Sequence, residues 1–410
     1  MKNINKISLV GLTLVLAICG CNENEALEKA LEEKIPMVFE RADKQFRTLM
    51  ELTLQETEKA GEWRLPRTYE GGTNRFANVT WWTSGFFPGS MWYLYEHTKD
   101  GFWLENAVKF TECQKPITEY VGNHDIGFML YCSAGNALRL TGDREKWGWM
   151  LEKGAKNLCS RFQEDLGLIL SWNSHTNQGN LLQRPVIIDN MMNLELLEWA
   201  RKNADDKRAG EVSMSHALET SRRHFRNDSS AFHVVDYRFN DRNVFSYHAG
   251  QGASAAGTWA RGQAWAIYGF TMMARETKNA EILDRAVQCA DWWINAKPTP
   301  DDFIPYWDYS AVNIPNEERD ASAAAITASG LLELSEIVGG AKGRKYRTYA
   351  VKMLSSLASD EYLAAEGTNG GFLLKHSTGH KPINSEVDVP LTYADYYFLE
   401  ALLRFKALRN

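Results

Sequence analysis

Two aspartates of this chain stand in apolar surroundings. Asp125 lies in the segment HDIGFML and Asp189 lies in VIIDNMMNL. A carboxylate in such a setting is costly without a partner, and its pKa is raised. Two of them facing one cavity are a usual arrangement for acid–base work on a glycosidic bond. Helix N-capping is the alternative for each aspartate taken alone, but the pair favours catalysis.

A cation and two indoles could complete a site for an acidic sugar. Arg261 opens the apolar stretch RGQAWAIYG. Its guanidinium could hold a uronate carboxylate in a bidentate contact, or it could satisfy a buried carboxylate of the protein. Trp265 follows one helical turn later, and Trp82 opens another helix, so either ring could stack on a sugar. Most of the 14 tryptophans have to be core residues.

Motifs for other kinds of site are missing from the sequence. No HExxH or CxxC pattern occurs, and there is no GxSxG, P-loop or GxGxxG. We therefore predict neither a metal nor an organic cofactor. His124, His233 and His248 lie near the proposed site, although a solvated or capped histidine is the default for each. The four scattered cysteines after the N-terminal region (Cys113, Cys132, Cys159 and Cys289) are predicted to be buried thiols.

The candidate residues converge if the helices that carry them form a ring. A polar or aromatic opening followed by an aliphatic helix recurs six times, at Trp82, Asp125, Asp189, Arg261, Ala321 and Tyr393. More highly charged helices alternate with these, at Glu105 to Val121, Lys146 to Phe162, Ala280 to Ala296 and Lys345 to Leu357. The alternation predicts an all-α, single-domain (α/α)6 barrel with six inner and six outer helices. A helical solenoid is the alternative, but no fixed period is visible.

Parallel inner helices would bring their N-terminal ends to one face of the barrel. The two aspartates, the arginine and the indoles all lie at such ends, which gives a coherent site for a sugar acid. The Gly-, Thr- and Ser-rich segment 366–382 precedes the last inner helix. We predict a plain connection there, with a lid or a substrate-contacting loop as the alternative.

The N-terminal residues predict export. Lys2 and Lys6 precede an apolar run over residues 7–18, which is too short to span a membrane but suits a signal peptide. Ile18-Cys19-Gly20-Cys21 resembles a bacterial lipobox in which Cys21 is lipidated; an ordinary signal peptide is the alternative. We predict a signal peptide over 1–20, a tether over 21–32 and a catalytic domain over 33–410. The protein would be a periplasmic or cell-surface lipoprotein of a Gram-negative bacterium, and a monomer or weak oligomer.

The charge of the chain restricts its partners. A formal net charge of −6 makes nucleic acid an unlikely partner, and an acidic substrate would need a local basic contact. Apart from the predicted lipid anchor, nothing in the sequence indicates membrane attachment.

Taken together, the motifs resemble the unsaturated glucuronyl hydrolases. The resemblance runs in order from Trp82 to Arg404, through WTSGFFPG, NHDIGF, IDNMMNLELLEWA, TWARGQAWAIYG, RDASAAAITASGLLEL and YADYYFLEALLR. It implies the (α/α)6 barrel and a hydrolase that needs no cofactor. Such an enzyme hydrates the C4=C5 double bond that polysaccharide lyases leave on the non-reducing uronate. The hydrated ring then opens and releases the neighbouring sugar.

The resemblance also implies roles for individual residues. Asp189 matches the aspartate that donates a proton to C4 and then helps to activate water, and Asp125 matches the second aspartate, which contacts ring hydroxyls. The positions that match substrate-binding residues are Trp82, His124, Trp172, His233, Gln251, Arg261 and Trp265. One departure is Gly250, which stands where many relatives carry histidine; His248 lies two residues earlier.

Three other functions stay open at this stage. An unsaturated rhamnogalacturonyl hydrolase would perform the same chemistry on pectin fragments. A conventional inverting glycosidase would need its carboxylates far enough apart to admit water beside an anomeric carbon. A non-catalytic glycan-binding lipoprotein would not need two aspartates in apolar settings. Neither the leaving sugar nor its sulfation follows from the sequence.

Overall fold

The computed structural model describes the backbone of residues 7–177 and 180–409. Side chains are described from Asn24 onward, except at 177–180. The start of the predicted signal peptide, including Lys2 and Lys6, lies outside the described residues, and so does the side chain of Cys21. Export and lipidation therefore stay predictions.

Six helical hairpins form the body of the molecule, with helices α1 to α13 numbered along the chain. The outer helices are α1 (Ile7–Ala60), α3 (Gly101–Glu112), α6 (Arg144–Cys159), α8 (Lys207–Arg223), α10 (Ala280–Asn295) and α12 (Gly340–Leu357). The inner helices are α2 (Phe86–Thr98), α4 with α5 (Ile126–Leu130 and Asn136–Thr141), α7 (Leu194–Asn203), α9 (Ala260–Thr277), α11 (Ala321–Val338) and α13 (Thr392–Arg409). Helix α13 packs against α11 and also against α2, so the inner ring closes. The predicted (α/α)6 barrel is confirmed.

Burial separates the two rings as the sequence pattern predicts. Every residue of α9 from Ala260 to Ala274 is buried. In the outer helix α10 the buried positions form one stripe: Ile282, Ala286, Cys289, Ala290 and Trp293. Among the described helices, α11 alone is long and apolar enough to cross a membrane. Most of it is buried inside the barrel, where it serves as a core helix.

The outer helices differ from the prediction at their ends. The helix predicted over Glu105 to Val121 ends at Glu112, and a 3-10 turn follows over Lys115–Glu119. Pro116 explains the break, because proline cannot donate the backbone hydrogen bond that a continuing α-helix requires. Helix α12, predicted to begin at Lys345, begins earlier, at Gly340.

Helix α1 supplies the sixth outer helix and extends through the predicted tether. Leu27 packs against the hydrophobic core and Leu31 is buried within it. Glu28 pairs with Arg347 at 2.8 Å and with Arg409 at 3.2 Å. Segment 21–32 is therefore helical in this structure rather than an extended tether, and the packed part of the chain begins before residue 33.

Short strands occur only where an outer helix connects to the next inner helix, within the described residues. They are β1 (Arg64–Glu70), β2 (Thr73–Asn78), β3 (Phe162–Gln163), β4 (Leu168–Ile169), β5 (His175–Asn177), β6 (Asn180–Leu182), β7 (Arg184–Ile187), β8 (Val234–Tyr237) and β9 (Val244–His248). The first six form antiparallel hairpins, and β7, β8 and β9 form one antiparallel sheet in that order. Because these connections lead to the starts of inner helices, the strands lie at the end of the barrel where the candidate residues lie.

The four cysteines named above are free thiols. Cys113, Cys132 and Cys289 are buried, as predicted, whereas Cys159 is partly exposed.

Candidate active site

Strand pairing positions Asp189 beside a histidine. Strand β7 leads into a 3-10 turn over Ile188–Asn193, which contains Asp189. Ile187 pairs with Val234 in the β7–β8 ladder, and the backbone N–H of Ile188 donates to the carbonyl of His233 at 3.1 Å. This register places Nε2 of His233 3.5 Å from Oδ1 of Asp189.

Ser171 connects the segments that carry the two aspartates. Its carbonyl accepts from the backbone N–H of His124 at 3.1 Å, and its own N–H donates to the carbonyl of Pro185 at 2.9 Å. Its hydroxyl accepts from the backbone N–H of Ile187 at 2.9 Å. The residue before Asp125 is thus tied to the strand that precedes Asp189.

A close approach of two inner helices brings the aspartate-bearing ends together. The side-chain oxygen of Asn193 accepts from the backbone N–H of Phe128 at 2.8 Å. A Cβ atom at Gly127 would lie 2.6 Å from the Cα atom of Asn193, which is closer than real Cβ contacts allow. Glycine at 127 therefore permits the contact between the start of α4 and the turn that contains Asp189.

Neither aspartate behaves as a helix cap. Asp125 occupies the N-cap position of α4, but its side chain accepts no capping hydrogen bond. Oδ1 of Asp189 is buried and has no hydrogen-bond partner among the described residues. Asp320 shows the contrast, because it caps α11 by accepting from the backbone N–H groups of Ser322 and Ala323. The capping alternative for the pair therefore has no support in the geometry.

Burial raises the pKa of both aspartates into the neutral range. Burial raises the pKa of Asp189 to about 7, against the opposing effect of the nearby Arg261 guanidinium. Burial also raises the pKa of Asp125 to about 8, and the charge of Asp189 adds to that rise, whereas Arg161 opposes it. The charge of Asp189 thus restrains the ionisation of Asp125, while burial by itself raises the pKa of Asp189.

The two histidines beside the aspartates are neutral, because burial lowers the pKa of His124 and of His233 to about 3. The backbone N–H of Gln251 donates to Nδ1 of His233 at 3.0 Å, and the carbonyl of Ala249 lies 3.1 Å from the same atom. Nδ1 thus contacts both a donor and an acceptor of the loop, and Nε2 is the ring nitrogen that faces Asp189. Nε2 of His124 lies 3.4 Å from Oδ1 of Asp125.

Aromatic rings border the aspartates. Trp172 is partly exposed and meets His124 edge to face, with ring centroids 6.2 Å apart. Trp82 is partly exposed in the turn before α2, where its ring centroid lies 4.9 Å from that of Tyr393. Trp265 is completely buried, and its indole N–H opposes the rise in the pKa of Asp189. Trp82 and Trp172 are therefore the rings that a sugar could reach.

Arg261 does not project freely into the site. It is completely buried and pairs with Asp320 at 2.7 Å. It also donates to the carbonyls of Thr378 at 2.5 Å and Gly379 at 2.6 Å. Of the two alternatives for Arg261, this geometry supports the internal one: the guanidinium satisfies a buried carboxylate and holds a loop. The predicted bidentate clamp on a uronate has no support in this arrangement.

The loop held by Arg261 belongs to the site. Nε2 of Gln251 donates to the carbonyl of Gly379 at 2.9 Å, and Nε2 of His380 lies 3.2 Å from the carbonyl of Gly250. The expectation that segment 366–382 is a plain connection was therefore wrong at its C-terminal part. Gly250 has φ +57°, and a Cβ atom there would lie 2.4 Å from Nδ1 of His233. Glycine is required at this position, whereas the ring of His248 bonds to the hydroxyl of Ser246 at 2.7 Å.

Sequence reasoning missed three contributors to the site. Arg161, at the end of α6, is the cation that lowers the pKa of Asp125. Asp320 is the partner of Arg261, and His380 comes with the loop. Asp320 could have been identified from the sequence, because an acidic residue directly before the apolar run of α11 marks an N-cap. Within the described residues, no group of three or more His, Cys, Asp or Glu side chains could hold a metal ion.

Comparison with known proteins decides the family. No protein-family model matches the chain. The unsaturated glucuronyl hydrolase of Formosa agariphila is 40% identical over 323 residues, which cover 79% of this chain and 79% of the relative. This chain belongs to the unsaturated glucuronyl hydrolase family.

Solved structures of unsaturated glucuronyl hydrolases agree with this assignment. A crystal structure of an enzyme described as specific for heparin is 41% identical, has a TM-score of 0.83 and covers 91% of this chain and 97% of its own. An Asp-to-Asn mutant from Streptococcus agalactiae, complexed with dGlcA-GalNAc6S, is 25% identical with a TM-score of 0.74 and 92% coverage of both chains. The chain is therefore an enzyme, a glycoside hydrolase built on the (α/α)6 barrel.

Proposed function

We propose that this unsaturated glucuronyl hydrolase removes the non-reducing-end 4,5-unsaturated uronic acid from lyase-generated glycosaminoglycan oligosaccharides. Asp189 acts as general acid and then as general base. The observation that carries this proposal is the setting of Asp189, whose Oδ1 is buried without a hydrogen-bond partner among the described residues. Burial raises the pKa of this carboxyl group to about 7, so it still carries a proton to donate near neutral pH.

The first steps are a proton transfer and an attack by water. Asp189 donates its proton to C4, the π electrons of the C4=C5 bond form the new C–H bond, and positive charge develops on C5 and the ring oxygen. Water then adds to C5 and returns a proton to the Asp189 carboxylate. The resulting hemiketal opens the ring and leaves a hemiacetal at C1, which releases the neighbouring sugar. The net reaction consumes one water and regenerates the acid.

The neighbouring residues support the two protonation states of Asp189. Nε2 of His233 lies 3.5 Å from Oδ1, so the imidazole is placed to interact with Asp189 as its charge changes. Asp125 stays protonated through most of the neutral range, because burial raises its pKa to about 8, so it can both donate to and accept from ring hydroxyls. Trp172 offers a partly exposed ring for a sugar face.

Two observations favour glycosaminoglycan over pectin fragments. The structural relative described as specific for heparin shares 41% of its residues with this chain. The Streptococcus agalactiae structure holds dGlcA-GalNAc6S, an unsaturated uronate linked to a sulfated hexosamine. We propose in addition that Cys21 is lipidated after export, so that the enzyme works in the periplasm or at the cell surface. Incorporation of labelled palmitate that is lost in Cys21→Ser would test this.

The function is tested by the ultraviolet absorbance of the double bond. Unsaturated disaccharides from heparin, chondroitin and pectin are incubated with the native enzyme, with Asp189→Asn and with Asp284→Asn, a control at an exposed position of α10. We expect the glycosaminoglycan signals to disappear with the native enzyme and the control. Asp189→Asn should be slower by about 10³-fold or more, because general acid–base catalysis contributes on that scale.

Two results would contradict the proposal. If the absorbance persists with every disaccharide, the enzyme does not hydrate the double bond. If only the pectin disaccharide is consumed, the hydration chemistry is correct but the substrate is a rhamnogalacturonan fragment. A native-like circular dichroism spectrum of Asp189→Asn is the control for folding.

A further inference from the structure

The barrel has a cavity at the end opposite the catalytic aspartates. Its volume is about 740 Å³, within the range of roughly 300–1,000 Å³ that is usual for small-molecule sites. Its walls come mainly from the C-terminal halves of inner helices, including Glu96 of α2, Arg139 of α5, Trp199 of α7, Arg275 of α9 and Arg404 of α13. We call it the far-end cavity. Neither catalytic aspartate lines it, and neither does Trp172.

Aromatic side chains with polar tips dominate the wall of the far-end cavity. Besides Trp199 they are Tyr93, Tyr131, Tyr268, Tyr396 and Tyr397. The hydroxyl of Tyr131 forms no hydrogen bond with another described residue, and neither does the indole N–H of Trp199. Tyr131 begins a π-helical turn, Tyr131–Gly135, that interrupts the inner helix between α4 and α5. Such turns are frequent at functional sites, because they redirect side chains out of the regular helical pattern.

The charges in the far-end cavity are already matched to one another. Arg139 pairs with Glu96, Arg275 with Glu195 and Arg404 with Glu400. Arg144, another lining residue, pairs with Glu152 at 3.3 Å. An anion would have to displace one of these carboxylates, so the wall does not suit an acidic ligand. The carboxylates keep lone pairs that can accept further hydrogen bonds, and the free Tyr131 hydroxyl can donate or accept. The wall therefore suits a ligand with many hydroxyl groups.

We propose that the far-end cavity is a second saccharide site that binds a neutral mono- or disaccharide. Aromatic rings such as Trp199 provide apolar faces for the C–H faces of a pyranose, and the Arg–Glu pairs bond to its hydroxyls. The ligand differs from the substrate of the catalytic site in carrying no carboxylate or sulfate. The proposed saccharide site involves neither catalytic aspartate, so it can be tested independently of the proposed hydrolase function.

The experiment titrates N-acetylglucosamine, N-acetylgalactosamine and glucuronic acid into the full-length enzyme by isothermal calorimetry and ligand-observed NMR. We expect a neutral sugar to bind with a Kd of about 1 mM, a usual scale for a small polar ligand, and glucuronic acid to bind more weakly at this site. Trp199→Ala and Tyr131→Phe should weaken that binding by about fivefold or more, whereas Trp149→Ala should not. Trp149 is an exposed tryptophan of α6 that does not line the cavity.

Catalysis provides the second readout. Trp199→Ala and Tyr131→Phe should keep the turnover of unsaturated disaccharides, because neither residue lies at the catalytic site. Loss of neutral-sugar binding in Trp172→Ala but not in Trp199→Ala would place the sugar at the catalytic site and overturn the proposal. No detectable binding of either neutral sugar, or equal binding in Trp199→Ala and the native enzyme, would overturn it as well.

Discussion

The two ends of the barrel hold buried charges in opposite ways. At the end where the inner helices begin, Oδ1 of Asp189 has no hydrogen-bond partner among the described residues, and the histidine beside it is neutral. At the far end, Glu400 accepts from the hydroxyls of Tyr93 and Tyr268 at 3.0 Å and of Ser329 at 2.6 Å, and it pairs with Arg404.

This contrast separates reactive carboxylates from structural ones. Glu400 accepts from several donors and joins helices α2, α9, α11 and α13. Oδ1 of Asp189, in contrast, has no hydrogen-bond partner among the described residues, and burial raises the pKa of that carboxyl group to about 7. The inner helices of the same barrel therefore carry acid–base chemistry at their starts and a cohesive network at their ends. The four predictions that follow compare substitutions at the two ends.

Asp125→Asn should lower kcat by about 10²- to 10³-fold, less than Asp189→Asn but more than the other substitutions below. The substitution keeps the shape of the side chain but removes its proton-exchange capacity beside the substrate hydroxyls. The measurement is the steady-state rate at which the absorbance decreases, at a substrate concentration of roughly 5 to 10 times KM so that the enzyme is nearly saturated. A variant with near-native kcat would show that a carboxyl group at 125 is dispensable.

Glu400→Ala should lower the free energy of unfolding by about 2–4 kcal/mol, because four buried or partly buried donors lose their common acceptor. Urea denaturation measures this change. Glu336→Ala, at an exposed position of α11, is the control and should stay within about 0.5 kcal/mol of the native protein. Equal stabilities of the two variants would mean that the far-end network is not cohesive.

Removal of the Arg261 charge should change the pH dependence of catalysis. Arg261 lowers the pKa of Asp189, so in Arg261→Met that pKa rises. The acid form of Asp189 then persists to higher pH, and the alkaline limb of kcat/KM should move upward by about one pH unit. KM should also increase, because the carbonyls of Thr378 and Gly379 lose their donor. If the alkaline limb of the profile stays at the same pH in Arg261→Met, Arg261 does not lower the pKa of Asp189.

Asp189→Asn should be the more stable protein at high pH. The folded-state pKa of Asp189, about 7, lies above its ordinary value of 3.8, so the folded state binds the proton more tightly than the unfolded chain does. The native protein therefore loses stability as the pH rises from about 4 through 7, and the asparagine variant avoids that loss. Its Tm advantage should grow by about 2–4 °C between pH 5 and pH 8. If calorimetric scans show the same difference in Tm between the two proteins at every pH, the pKa of Asp189 is not raised in the folded state.

The periodicity of the sequence was sufficient for the architecture. Apolar residues at helical spacing distinguished the inner from the outer helices, because burial on all sides and burial on one side leave different patterns. The parallel direction of the inner helices then placed Asp125 and Asp189 at one end of the barrel. The apolar neighbours of both aspartates indicated raised pKa values before any distance was known.

The partners of individual side chains required the tertiary structure. Arg261 meets Asp320 and the carbonyls of residues 378 and 379, which lie 59 to 118 positions away in the chain. No local pattern encodes which of several carboxylates a buried guanidinium will contact. The same holds for the register Ile187↔Val234, which sets His233 against Asp189.

Sequence alone thus determined the ring of helices, the aspartate pair and the family to which the chain is similar. Only the tertiary structure decided that Arg261 holds a loop, that the loop with His380 closes on Gln251, and that the opposite end of the barrel contains a cavity. The physical reason is that burial is recorded in the spacing of apolar residues. Hydrogen-bond partners and cavities depend instead on how separate elements approach one another in space.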